Sequence, residues 1–166
     1  MHDFRYNPPT TPWLDILYQD KDLLALNKPS GLLTNPGRGE HLADCLLSRA
    51  QQQFPLAQLV HRLDMATSGI VVIALRRSAE RALKQQFAER RVAKRYLAVV
   101  WGVLSEVEGT IDVPLIADST NPPKQKICLQ HGKTAITHYK VLKQLPDRAL
   151  VELLPITGRS HQLRMH

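Results

Sequence analysis

The run GIVVIAL at residues 69–75 constrains the fold more than any other stretch of the chain. It lacks polar alternation, is rich in β-branched side chains and is short for a core helix, so it reads as a central strand covered on both faces. Just ahead of it, His61, Arg62 and Asp64 set an imidazole, a guanidinium and a carboxylate within four positions. A loop leading into such a strand suits a group whose position matters, because rigid backbone stands behind it. Burial disfavours the charged form of a carboxylate and a neighbouring cation restores it, so an ionised Asp64 needs an arginine close by. Arg62 is nearest in sequence; Arg159 and Arg164, in PITGRSHQLRMH, are the alternatives.

Around this centre the pattern alternates short strands with few helices. WLDILYQDKDLLALNKPSG reads as two strands about a polar turn at Asp20, Lys21 and Asp22, the second stopped by Pro29 and Gly31. Leu42, Leu46, Ala50 and Phe54 recur four apart, a helical stripe. Ser78 is placed to cap a second helix, whose Ala79, Ala82, Leu83 and Phe87 form an apolar stripe while Arg81, Lys84, Arg90 and Arg91 project elsewhere. AKRYLAVVWG, TIDVPLI, KQKICL, TAITHYKVLKQL and ALVELL follow as strand candidates, with prolines between them. This order predicts an α+β fold, a mixed and largely antiparallel sheet with helices packed against it.

A chain of 166 residues, 43% hydrophobic, is sized for one core, and a single domain over residues 1–166 is expected. Neither a secretory signal nor an apolar stretch near the roughly 18 residues of a membrane span is visible, so a soluble, cytoplasmic protein is expected. Cys45 and Cys128 lie far apart without CxxC spacing and read as reduced core residues. The net charge of +7 is unevenly spread: residues 1–60 carry 5 basic and 6 acidic side chains, 61–100 carry 9 and 3, and 101–166 carry 8 and 6. Basic charge focused behind the HRLD stretch suits a polyanion, above all nucleic acid.

Three other chemistries fail on their missing parts. HRLD is not the HRD loop of a protein kinase, since the glycine-rich loop, the VAIK lysine and the DFG triplet are absent. His61, His161 and His166 have no HExxH or His/Cys grouping that would mark a metal site. A glycosidase needs a second carboxylate to activate water, and Asp64 has no evident partner of that kind.

HRLDMATSGIVVIAL, then KRYLAVVWG, then PITGRSHQLRMH, in this order and spacing, resemble the RluA family of pseudouridine synthases. The opening YNPPTTPWLDILYQDKDLLALNKPSGLL is similar to the RluA subgroup, which lacks the separate S4 domain of several relatives, and the resemblance covers essentially the whole chain. It implies a catalytic domain that isomerises uridine within RNA: the N1–C1′ bond breaks, the base rotates in place and C5 bonds to C1′. It implies that Asp64 is the catalytic aspartate, that Arg62 holds or replaces the flipped nucleotide, that Tyr96 packs on the uracil and takes its C5 proton, and that Arg164 pairs with Asp64. Lys28 and Pro29, in NKPSG, match the family's first motif in a structural role. RNA, as ribosomal or transfer RNA stem-loops, is the expected partner of a monomer that needs no metal and no cofactor.

A single carboxylate suits this reaction, because the detached uracil is itself the next nucleophile and no water has to be activated. Asp64 could attack the sugar, add to the base or remove a sugar proton; each role requires it ionised and in near-contact with the nucleoside. Arg81, Lys84, Arg90 and Arg91 are the expected phosphate contacts. Family members usually continue past the third motif, so the domain is expected to be incomplete at its C-terminus and to expose apolar surface. The second expectation is accordingly a shortened module that binds RNA without modifying it.

Overall fold

The polar turn at Asp20–Asp22 closes an antiparallel hairpin, β1 (Ile16–Gln19) with β2 (Leu23–Lys28). The Asp20 side chain fixes it, its Oδ1 accepting from the backbone N–H of Asp22 at 2.7 Å and of Leu23 at 2.8 Å; these bonds hold its carboxyl below the ordinary value. The structure, a computed structural model, describes residues 5–166. Two units divide the chain, Met1–Arg91 and Val92–His166.

In the first unit β3 (Gln58–Leu59) and β4 (Gly69–Ala74) complete a four-stranded antiparallel sheet of order β1-β2-β4-β3. GIVVIAL is thus an interior strand, and Val71 and Ile73 are fully buried with Leu24 and Leu26 of β2. Its entry departs from the two-sided burial expected: Ile70 is 60% exposed. The helix α1 (Leu46–Gln53) buries Leu46 and Ala50 from the predicted stripe, while Leu42 falls in a separate 3-10 turn and Phe54 at the C-cap. Cys45 caps it through its sulfur, which accepts from Ser48 N–H, and the Ser48 hydroxyl accepts in return from Cys45 N–H.

The second helix, α2 (Arg77–Ala88), begins two residues earlier than a cap at Ser78 would start it: Arg76 is the extended N-cap residue and Ser78 lies inside the first turn. None of its residues is fully buried, so its apolar stripe is only half covered. A buried arginine ties the opening segment down. Arg49 forms a bidentate pair with Asp44 (2.8 and 2.7 Å), donates to the Pro9 carbonyl at 2.8 Å and lies 4.0 Å from the centre of the Trp13 ring.

In the second unit β5 (Tyr96–Trp101), β6 (Glu108–Asp112), β9 (Ile136–Gln144) and β10 (Arg148–Pro155) form an antiparallel sheet of order β5-β10-β9-β6. TIDVPLI divides at Val113–Pro114, and its second part, β7 (Leu115–Ala117), pairs instead with β8 (Gln125–Ile127); proline has no N–H to continue a ladder. Ala149, Val151 and Leu153 of β10 form the core, packed by Tyr96, Ala98, Val100, Tyr139, Val141 and Leu163. The other face of β5 carries the exposed apolar surface expected, with Leu97, Val99 and Trp101 57%, 66% and 83% exposed. One four-residue helix, α3 (Gln162–Met165), was not foreseen. The α+β class holds, and every strand pairing among the described residues is antiparallel.

Candidate active site

Asp64 is half-buried on a turn closed by Thr67 N–H donating to the Asp64 carbonyl at 3.1 Å. The segment 28–34 grips this turn on both sides of the carboxylate. Before it, the Thr34 hydroxyl donates to the Leu63 carbonyl at 2.7 Å and accepts from Leu63 N–H at 3.2 Å. After it, the Met65 carbonyl accepts from Gly31 N–H at 2.9 Å and from Lys28 Nζ at 3.1 Å, and Ser30 Oγ donates to the Ala66 carbonyl at 2.8 Å. Gly31, at φ +89°, supplies the left-handed backbone that brings its N–H round to the turn.

Lys28 is fully buried at the end of β2, where the register sets it opposite Gly69. Its ammonium also donates to the carbonyls of Pro29 at 3.0 Å and Leu32 at 2.7 Å, so all three protons are used. Burial pushes it down to about 8 from the ordinary 10.5, and the charge of Asp64 pulls the other way. The carboxylate and the ammonium are therefore electrostatic neighbours.

His61 orders the approach to the turn. Its Nε2 accepts from Val72 N–H at 2.9 Å, and its ring stacks on Phe87 of α2, centroids 4.7 Å apart and planes 24° from parallel. A nitrogen that accepts an N–H carries no proton, so the ring is neutral with its hydrogen on Nδ1. Arg62, between this anchored ring and the anchored Leu63, is exposed. The imidazole thus serves the backbone of β4.

The other two catalytic candidates belong to the second unit. Tyr96 opens β5, paired with Leu153 and packed on the core of its sheet. Arg164 is exposed on α3, whose neighbouring Leu163 packs on that same core. A buried neutral network holds this short helix. Gln162 accepts at Oε1 from Thr157 Oγ1 (2.8 Å) and Arg159 N–H (2.9 Å), and donates from Nε2 to the Ile136 carbonyl and to Thr137 Oγ1 (both 3.0 Å). Thr137 Oγ1 also hydrogen-bonds with His166 Nδ1 at 2.9 Å, and His166 donates from Nε2 to the Val113 carbonyl at 3.1 Å. Arg159, an alternative cation for Asp64 in the sequence, donates to the Thr134 carbonyl at 2.9 Å.

Arg81, Lys84, Arg90 and Arg91 are all exposed, on α2 and just beyond it. Lys84 pairs with Glu80 and Arg91 with Glu89, each at 2.6 Å; Arg81 and Arg90 have no such ion pair among the described residues. Among those residues no three His, Cys, Asp or Glu side chains converge as a metal site, and no helix is long and apolar enough to cross a membrane. Sequence reasoning missed Thr34, Gln162 and Phe87 as parts of this construction; nothing local in LLTN or RSHQ marks a side chain whose bonds are to distant backbone.

The comparisons with known proteins place the chain in a family. Residues 22–166 match the RNA pseudouridylate synthase family, and the chain belongs to that family, whose members are isomerases acting on RNA. It is 56% identical over 162 residues to the dual-specificity RNA pseudouridine synthase RluA of Escherichia coli strain K12, covering 97% of this chain and 74% of that protein. The RluA of Vibrio parahaemolyticus is 51% identical, with 97% and 66% covered. The solved structure of human RNA pseudouridylate synthase domain containing 1 superposes with a TM-score of 0.77 at 31% identity, over 96% of this chain and 66% of that one. The chain thus spans about two thirds to three quarters of the length of these relatives.

Proposed function

We propose that this chain converts specific uridines to pseudouridine in stem-loops of 23S ribosomal RNA and of the transfer RNA anticodon arm. It works as a cytoplasmic monomer without metal or cofactor. Asp64 is the catalytic carboxylate, Tyr96 receives the uracil face and its C5 proton, and Arg164 is the third catalytic residue. The reaction balances as an isomerisation: the N1–C1′ bond is replaced by C5–C1′, C5 releases a proton and N1 takes one up. The uracil has to leave its stack first, at a cost of a few kcal/mol that is least in a loop. Stacking on Tyr96, worth about 1–3 kcal/mol, and phosphate contacts from Arg62, Arg81, Lys84, Arg90 and Arg91 offset it.

The observation that carries this reading is the grip on the Asp64 turn. Side-chain and backbone donors from residues 28–34 hold the peptide units before and after one half-buried carboxylate. Such investment in a surface turn suits a group that must meet a reacting atom at fixed distance. The test is release of tritium from C5-labelled uridine in a transfer RNA transcript and in a 23S stem-loop. Release that disappears in Asp64→Asn, with RNA still bound, supports the proposal. Binding without any release by the unaltered chain would favour an RNA-binding module that does not modify its ligand.

A further inference from the structure

We propose that Arg90 is a phosphate contact kept against the preference of the fold: an arginine in a left-handed backbone position that would favour glycine, held there because its guanidinium is needed on RNA. The inference rests on this chain acting on RNA. Arg90 follows the end of α2 with φ +57°. Two backbone bonds close the helix around it, Arg91 N–H donating to the Gln86 carbonyl at 2.9 Å and Arg90 N–H to the Phe87 carbonyl at 3.2 Å. This is the Schellman closure, whose left-handed residue is usually glycine because a Cβ there crowds the backbone. The chain uses glycine for such backbone at Gly31, Gly39, Gly69 and Gly102. Among the described residues only Arg90 and His161 adopt it with a side chain, and His161 is the N-cap of the helix that carries Arg164.

The surroundings of Arg90 do not offset the crowding. A hydrophobic contact often accompanies this closure, but the two positions that would make it are Gln86 and Arg91. The neighbouring carboxylate is already engaged: Glu89 accepts at Oε1 from Gln85 Nε2 at 2.7 Å and at Oε2 from Arg91 Nε at 2.6 Å. Glu80, the acid of the first turn of α2, pairs with Lys84 at 2.6 Å. Arg90 is exposed and forms no ion pair among the described residues. The negative end of the helix dipole favours a cation here, yet Arg91 supplies one without left-handed backbone. A crowded residue that gains nothing inside the fold points to a ligand outside it. A guanidinium with no carboxylate of its own suits a phosphate, whose oxygens accept from its fork of N–H groups, and the backbone of the substrate RNA presents such phosphates.

Two variants of the whole chain test it: Arg90→Gly removes the crowding and the charge together, and Arg90→Lys keeps both. Unfolding in urea and binding to a transfer RNA transcript across a range of salt concentrations are measured for each. Arg90→Gly is expected to be the more stable protein, its unfolding equilibrium constant lower by about three- to tenfold. It is nonetheless expected to bind RNA about three- to tenfold more weakly, with the slope of log affinity against log salt flatter by about 1. Arg90→Lys is expected to keep the parent's stability and affinity to within about threefold and to keep its salt slope. A glycine variant no more stable than the parent overturns the inference, because the arginine would then belong to the fold. So does a more stable glycine variant that binds with the parent's affinity and slope, or a lysine variant whose slope flattens as far as glycine's. The parent separates the two layers. If it binds the transcript without salt dependence, or not at all, the RNA reading itself falls; if its salt-dependent binding survives in Arg90→Gly, only this contact does.

Discussion

Each unit displays a proposed functional side chain on a short segment, a turn in one and a four-residue helix in the other, yet the two fasten that segment by different chemistry. In the first, a buried ammonium and a hydroxyl hold the Asp64 turn, and a second buried cation, Arg49, holds the opening segment. In the second, Gln162, Thr137 and Thr157 hold the helix of Arg164 with neutral groups, every hydrogen of the Gln162 amide being used. Neutral networks cost little to bury when complete, whereas buried charges are tolerated only with their partners in place. Stability in the first unit is therefore hostage to single charged residues, and in the second it is spread over a network.

The largest effect expected from breaking this contrast is at Arg49. Arg49→Ala leaves Asp44 and the Pro9 carbonyl without their donor and should destabilise the chain by about 3–5 kcal/mol in denaturant unfolding. A loss below about 1 kcal/mol would mean that the buried cation is dispensable.

Lys28 gives a pH signature next in size. Its folded value, about 8, lies below the 10.5 of the unfolded chain, so between these values the unfolded state holds more protons and stability rises with pH. Across that window the contribution amounts to roughly 3 kcal/mol. Unfolding free energies of the parent and Lys28→Met compared from pH 8 to pH 10 should therefore show the steeper upward slope in the parent; parallel slopes would count against it.

Gln162→Leu should cost less, about 1–3 kcal/mol, because it strips a buried amide from partners that remain. Its pH slope should match the parent's over the same range, since nothing it removes is charged. The smallest change in stability is expected for Arg81, Lys84, Arg90 and Arg91 replaced together by Gln, which touches only exposed side chains. Its readout is RNA affinity: weaker binding and a flatter salt dependence, with Arg81→Gln and Arg90→Gln contributing more than the ion-paired Lys84→Gln and Arg91→Gln. An unaltered salt slope would show that this helix face does not meet phosphate.

Local signals were read correctly where the physics is local. Alternation and turn residues gave the β1–β2 hairpin, β5, β9 and β10, and the apolar run gave the interior strand β4. The helix start at Arg77 was missed because a cap depends on where the chain leaves the preceding strand: composition favours Ser78, but the extended residue is Arg76, which makes no side-chain cap bond. The short α3 escaped because four residues are too few to show a period, and its stability comes from Gln162 reaching β9. Lys28 was seen as structural in its motif, but its reach to Met65 was invisible in one dimension.

By itself, the sequence determined the α+β class, most of the strand and helix order and the family, since these follow from periodicity and from the order of short motifs along the chain. Tertiary structure alone decided that Lys28 and Thr34 flank Asp64 and that Gln162 underlies Arg164. Those contacts join a side chain to backbone tens of residues away, and a backbone carbonyl is the same chemical group at every position. Only folding selects which one a given donor meets.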